Sequence, residues 1–302
     1  LAVGRRVQGA LDAVGPRWAL TAARLDGSHI GAAVRIDPAE VTRPEGYTLT
    51  IDPDGVHIVG HDAAGAFYAA MTLAQIARQA EGETLPALRI EDWPDFPHRG
   101  VMLDISRDKV PTLETLYGLI DLLAEWKVNQ FQLYTEHTFA YRDHRTVWAD
   151  ASPMTGEEIM LLDAYCRERY VELVPNQNSF GHMTRWLTHD AYRGLAEAPE
   201  GFTYPWGDRS DEPFSLCPTD PASITFLAGL YEELLPHFSS RQFNVGCDET
   251  WDVGQPGTRS AAAVAEKGAG RVYLDFLRHI YDLVQQHGRT MQFWGDIIIQ
   301  HP

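Results

Sequence analysis

The feature that most constrains this chain is a repeat that begins at Arg99: a short apolar strand, a long loop, then an amphipathic helix. The spacing predicts strands over 101–105, 130–134, 171–175, 243–247 and 291–294. Helices are expected between them, over 112–127, 155–165, 222–238 and 271–287. In the first of these, Leu113, Leu116, Tyr117, Ile120 and Leu123 fall on one face. Thr155-Gly156-Glu157-Glu158 has the form of a capping box and opens the second. Alternating strands and helices imply a parallel sheet of βα units. An open doubly wound sheet and a closed barrel both satisfy that pattern. The phosphate-cradling GxGxxG and GxxxxGK[ST] loops are absent, which weighs against the nucleotide-binding version of the open sheet. Polar and aromatic residues follow nearly every strand, where barrel enzymes carry their chemistry. Residues 97–302 hold five such units, so eight would need roughly 330 residues, within the range of barrels with insertions. The expected fold class is therefore α/β, a (β/α)8 TIM-type barrel of which only about the first five βα units are present.

A small α/β domain is expected ahead of it. Tyr47, Leu49 and Ile51 alternate with threonines, as in a half-buried strand. Asp52-Pro53-Asp54-Gly55 is a turn signal, and residues 56–59 read as the return strand. Asp62 can cap a helix whose Phe67, Ala70, Met71 and Ala74 recur at helical spacing. Trp93-Pro94-Asp95-Phe96-Pro97 breaks both periodicities. The expected division is a non-catalytic domain over 1–94 and a barrel domain over 95–302.

Charge narrows the partners. Twenty-five basic residues against forty-two acidic ones give a net charge of −17, unfavourable for a nucleic acid or an anionic membrane surface. No run of about 18 apolar residues is present, so no membrane span is expected. Cys166, Cys217 and Cys247 fit neither a zinc ribbon nor a CxxC motif and read as buried free thiols. With no visible export signal, they point to the cytoplasm.

The common catalytic patterns HExxH, HxH and GxSxG are missing, so neither a catalytic metal nor a cofactor is expected. Of five adjacent acidic pairs, four read as solvated surface or helix. The fifth, Asp248-Glu249, follows the apolar run 243–247. Two carboxylates at the end of a buried strand sit where desolvation and mutual repulsion raise a pKa, as a general acid requires. Other chemistry-bearing residues flank the strands: Arg99, Glu136 and His137, then Asn176, Gln177, Asn178 and His182, then Trp294 and Asp296. Carboxylates, hydroxyl-reading polar groups and an aromatic platform together suit a pyranose.

These residues carry a resemblance. Phe96-Pro97-His98-Arg99-Gly100-Val101-Met102-Leu103-Asp104-Ile105-Ser106-Arg107 resembles the opening barrel strand of family 20 glycoside hydrolases, the β-N-acetylhexosaminidases. Asn244-Val245-Gly246-Cys247-Asp248-Glu249 resembles their Gly-x-Asp-Glu signature. Lys127-Val128-Asn129 and Gly181-His182 also fit, in order, and the leading α/β unit is similar to the family's small domain. The resemblance implies an eightfold barrel and an exo-acting, retaining hydrolase of terminal β-linked GlcNAc or GalNAc. In that mechanism the sugar's 2-acetamido oxygen attacks the anomeric carbon, an exception to the two-carboxylate scheme. It implies Glu249 as acid and base, Asp248 as holder of the acetamido N–H, and Arg99 as a binder of sugar hydroxyls. His182 would tune Glu249, and Trp294 would wall the acetamido pocket. The partner implied is an N-acetylhexosamine-containing glycan. Two departures stand out. Leu133-Tyr134-Thr135-Glu136-His137 replaces the family's Trp-His-Leu-x-Asp, with Glu136 as the available acid in a register open by one residue. Asn178-Ser179-Phe180-Gly181-His182 replaces Asp-x-Pro-Gly-His, which removes a charge partner of His182. Two alternatives remain from the residues alone: a retaining barrel glycosidase with its own nucleophile, and a non-catalytic sugar-binding protein on the same fold.

Overall fold

The computed structural model describes residues 2–12, 31–80 and 84–301. They form two compact units. The first takes in residues 1–100, 116–130 and 165–171, and the second the remainder.

The first unit is built on a four-stranded sheet of order β1-β3-β2-β4. Its strands are β1 (Gly31–Ile36), β2 (Tyr47–Asp52), β3 (Gly55–Gly60) and β4 (Leu88–Asp92). The hairpin of β2 and β3 turns where the sequence places it, and Asp52 Oδ1 accepts from the amides of Asp54 and Gly55. The two edge strands were not expected. β1 is mostly exposed, and β4 alternates only between intermediate and exposed positions. An edge strand with no fully buried face leaves little hydrophobic period to read. Helix α2 (Ala63–Gln79) is capped by Asp62, whose Oδ1 accepts from Gly65 N at 2.8 Å. It packs on the sheet and against α1 (Ala2–Asp12), a helix the sequence reading did not place.

The boundary at 94/95 does not coincide with the edge of this unit, because ion pairs draw later segments into it. Asp92 pairs with Lys127 at 2.6 Å beneath the Tyr47 hydroxyl. Helix α3 (Leu113–Glu125) contributes Asp121, which meets Arg169 at 2.5 Å and Arg6 at 3.3 Å. Glu125 pairs with Arg78. The Lys127-Val128-Asn129 motif therefore acts as a clamp here: Asn129 Nδ2 donates to Pro97 O at 2.8 Å, and Arg99 N donates to Asn129 Oδ1 at 2.9 Å.

The second unit carries the repeat. Strands β5 (Gly100–Asp104), β6 (Gln130–Tyr134) and β7 (Glu172–Val174) form one sheet in that order. A two-residue hairpin, β8 (Phe202–Thr203) and β9 (Arg209–Ser210), precedes the parallel pair β10 (Gln242–Asn244) and β11 (Thr290–Gln292). A parallel bridge between Asn176 and Asn244 joins β7 to β10. Five successive strands thus lie side by side, with helices at 156–167, 221–234 and 269–286 on their connections. The capping box at Thr155 forms, with Glu158 Oε2 accepting from Thr155 N at 2.8 Å. Phe131, Leu133, Leu173, Val174, Phe243 and Val245 fill the core. Strand β10 stops three residues earlier than expected, because Gly246 (φ 67°) and Cys247 (φ 68°) turn into the left-handed region. Cys166, Cys217 and Cys247 are buried free thiols. Among the described residues no helix is long and apolar enough to cross a membrane.

Arg99 is a correction. It precedes β5, and all three of its guanidinium nitrogens are occupied within the first unit. They donate to Lys127 O at 2.7 Å, Phe96 O at 2.7 Å, Glu45 Oε2 at 2.6 Å and Tyr68 Oη at 3.3 Å. Four of its five N–H groups are thus committed within the first unit. Arg99→Ala would leave Glu45 half-buried without its cation. The expected loss is about 2 kcal/mol or more, read as a lower urea midpoint. An unchanged midpoint would show that Arg99 holds nothing together.

Candidate active site

The strand ends of the second unit are first locked by neutral amides. Asn176 Oδ1 accepts from Thr135 N at 2.7 Å, and its Nδ2 donates to Asn244 O at 3.2 Å. Gln177 Nε2 donates to Glu136 O at 2.9 Å and its Oε1 accepts from Tyr141 Oη at 2.8 Å. Asn178 Nδ2 donates to Thr135 O at 3.1 Å. These residues are buried and hold main chain together.

Inside that frame lies a charged cluster. His182 adopts φ 59°, and its half-buried ring faces three carboxylates. Nδ1 lies 3.7 Å from Glu136 Oε1. Nε2 lies 3.2 Å from Asp248 Oδ2 and 3.1 Å from Glu249 Oε2. Glu136 is thus the acid that faces His182, in the register left open by the sequence, and it supplies the charge that Asn178 does not. Its Oε1 also accepts from Tyr134 Oη at 2.9 Å. Glu249 sits at φ 52°, and its amide donates to Asp296 Oδ2 at 3.0 Å. Phe214 packs edge-on against His182 at 5.0 Å and stacks on Trp251.

Two glycines permit this approach. A Cβ on Gly181 would lie 2.4 Å from Asp248 O, and one on Gly246 would lie 2.2 Å from Asn178 Oδ1. Left-handed residues at 246, 247 and 249 then turn both carboxylates toward one imidazole nitrogen. Such conformations are uncommon outside glycine, and tend to gather at functional sites.

The electrostatics follow from the packing. Burial raises the pKa of Glu136 against the lowering pull of Tyr134, His182 and Arg107. Burial also raises that of Glu249; Asp248 and Asp296 add to the rise, while His182 and Arg107 oppose it. For His182, burial pulls the pKa down, but Asp248, Glu136 and Glu249 together outweigh it, and the net direction is up. Asp248 Oδ1 is buried and accepts no hydrogen bond among the described residues.

The sequence reading missed Arg107. It follows the C-terminal end of β5, where its Nε lies 3.2 Å from Asp104 and 3.7 Å from Glu136, and its guanidinium lies over the Tyr134 ring at 4.8 Å. The signal was available, since a residue just after a barrel strand lies on the reactive face and one before it does not. Trp294 follows β11; its amide donates to Gly246 O, while its side chain is 44% exposed. The structure does not bring it into contact with the charged cluster. One ligand atom each from His182, Asp248 and Glu249 lies within 4.8 Å of the others, a spacing that also suits a cation.

Comparison with known proteins places the chain in a family and a fold. The pattern of the glycosyl hydrolase family 20 catalytic domain matches residues 96–302, and that of the family's domain 2 matches residues 4–93. A β-hexosaminidase of Porphyromonas gingivalis is 27% identical over 297 residues, covering 88% of this chain and 37% of its own length. One from Akkermansia muciniphila is 27% identical over 290 residues, covering 85% and 57%. Among solved structures, the Flavobacterium johnsoniae chitobiase superposes with a TM-score of 0.78 at 21% identity, over 98% of this chain and 48% of that one. A Streptomyces plicatus β-hexosaminidase variant in complex with its product GlcNAc gives 0.75 at 22% identity, over 99% and 61%. These likenesses establish the fold, a small domain followed by a (β/α) barrel.

Gly181→Ala should cost about 1–3 kcal/mol, because the added methyl meets backbone. Gly118→Ala, in α3 with open space around it, should be neutral or stabilising. Equal unfolding midpoints for the two variants would contradict the close approach at Gly181.

Proposed function

The chain belongs to glycosyl hydrolase family 20, and from that premise we propose that the protein hydrolyses terminal β-linked N-acetylhexosamine, GlcNAc or GalNAc, with retention and with the sugar's own acetamido oxygen as nucleophile. The observation that carries this reading is Asp248 Oδ1, a buried carboxylate oxygen with no donor. Leaving such an acceptor unpaired costs free energy. An acetamido N–H would satisfy it, and the same carboxylate would balance the positive charge of the oxazolinium that forms.

The other roles follow from position. Glu249, with its raised pKa, donates a proton to the departing glycosidic oxygen. As a carboxylate it then takes a proton from the water that opens the oxazolinium. His182, its pKa raised by the three carboxylates it faces, limits the rise at Glu249. Arg107 takes the part expected of Arg99 and offers its planar fork of donors to ring hydroxyls. Trp294, exposed beside the Gly246 turn, supplies an apolar wall for the acetamido methyl.

Aryl β-GlcNAc offered to the full-length protein should be cleaved, and aryl β-glucose should not. Equal cleavage of both would overturn substrate assistance and favour an enzyme nucleophile about 5–5.5 Å from the acid.

The pH profile supplies a second test. Glu249 must be protonated to act, so kcat/KM should fall as pH rises through its elevated pKa. The charge of Asp248 raises that pKa, so Asp248→Asn should move the alkaline limb to lower pH. The charge of His182 lowers it, so His182→Gln should move the limb to higher pH. A limb that neither variant moves would remove Glu249 as the acid.

A further inference from the structure

The hairpin of β8 and β9 carries an aromatic surface that the catalytic roles leave unused. Trp206, at its tip, is 62% exposed. Its indole stacks on the Tyr204 ring at 4.5 Å, with the planes 11° apart. Both rings meet Trp251 edge-on, at 5.4 Å from Tyr204 and 5.2 Å from Trp206. Trp251 in turn stacks on Phe214, the ring that packs against His182. A continuous run of rings thus leads from the charged cluster to an open indole face.

The backbone holds that run in place. Gly207, at φ 100°, closes the tip. Its N–H donates to Tyr204 O at 2.9 Å, and Tyr204 N donates to Asp208 O at 2.8 Å. A side chain at 207 would be strained in that conformation. Gln255 clamps the hairpin to the segment after Glu249. Its Oε1 accepts from Thr203 N at 3.1 Å, and its Nε2 donates to Thr203 O and to Trp251 O, each at 2.7 Å. The Trp251 amide donates to Glu249 O at 2.7 Å. The hairpin is therefore tied to the residue assigned to protonate the leaving group. Phe202 and Phe214, both buried, already form the core beneath. Packing alone does not call for a further tryptophan outside it, and an indole with one free face and a clustered aromatic backing suits a ligand.

We propose that Trp206, backed by Tyr204 and Trp251, is the platform for the sugar on the leaving-group side of the scissile bond. The inference rests on the hexosaminidase reading and extends it to the second residue of the glycan. The departing oxygen must reach the Glu249 carboxyl, so the ring that carries it starts beside the 249–251 turn, where the platform begins. Its occupant is a pyranose that lays an apolar C–H face on the free face of the indole.

The test compares the full-length protein with its Trp206→Ala and Trp206→Phe variants. The substrates are N,N′-diacetylchitobiose, GlcNAc-β-1,3-galactose and methyl β-GlcNAc, whose leaving group has no ring. At least one disaccharide should be preferred over the methyl glycoside in kcat/KM. Trp206→Ala should cut that preference about ten-fold, mainly through a higher KM, and Trp206→Phe should restore most of it. An unchanged preference in Trp206→Ala, equal losses on all three substrates, or cleavage of the methyl glycoside alone would overturn the proposal. If no substrate is cleaved, the hexosaminidase reading fails, and calorimetric titration with GlcNAc and N,N′-diacetylchitobiose decides the platform separately. Tighter binding of the disaccharide, lost in Trp206→Ala, would support it, and equal binding of both sugars would overturn it.

Discussion

One imidazole shared among three carboxylates organises the second unit. His182 has Glu136 at one nitrogen and both Asp248 and Glu249 at the other. Without a cation between them, three partly buried carboxylates would repel, and each would take up a proton more readily. The ring lies within 3.2 Å of Asp248 and 3.1 Å of Glu249, and burial pushes the pKa of Glu249 up while the ring opposes that rise. Different environments for neighbouring acids are how such groups acquire different roles.

Much of the surrounding structure serves that contact. Gly181 lets the His182 loop approach the Asp248 main chain, and Gly246 makes room for Asn178. Three left-handed residues follow a strand that ends at Asn244. Tyr273 Oη donates to Cys247 O at 2.9 Å, and Asp296 receives the Glu249 amide, which fixes the turn from outside. The strand ends are tied by Asn176, Gln177 and Asn178, which make many hydrogen bonds without adding charge to the cluster. A site whose orientation is set before the substrate arrives needs little reorganisation during reaction.

Much of this was legible in the sequence, and the exceptions have physical causes. The barrel strands announced themselves as apolar runs, most clearly β6, β7 and β10, whose residues are largely buried. The edge strands β1 and β4 did not, because neither has a fully buried position. Asp248-Glu249 stood out as two charges at the end of an apolar run. Whether Glu136 or its neighbour faces the histidine was not legible, because that depends on how the chain leaves β6. Arg99 was misassigned because its proximity to a strand was weighed without the strand's direction. It lies before β5 and belongs to a clamp with Glu45 and the Lys127 carbonyl, while Arg107 lies beyond it and meets Glu136. The 94/95 boundary was read from a break in periodicity, which carries no sign that ion pairs bind Lys127, Asp121 and Arg169 into the first compact unit.

The most direct test of the shared imidazole is the titration of His182 itself, followed by NMR of its ring in the full-length protein. The account predicts a pKa above the ordinary value of 6.5. It also predicts that Glu136→Gln lowers that pKa by removing one of the three facing charges. A value at or below 6.5 would mean that burial outweighs the carboxylates, and would contradict the claim that a charged histidine holds them together.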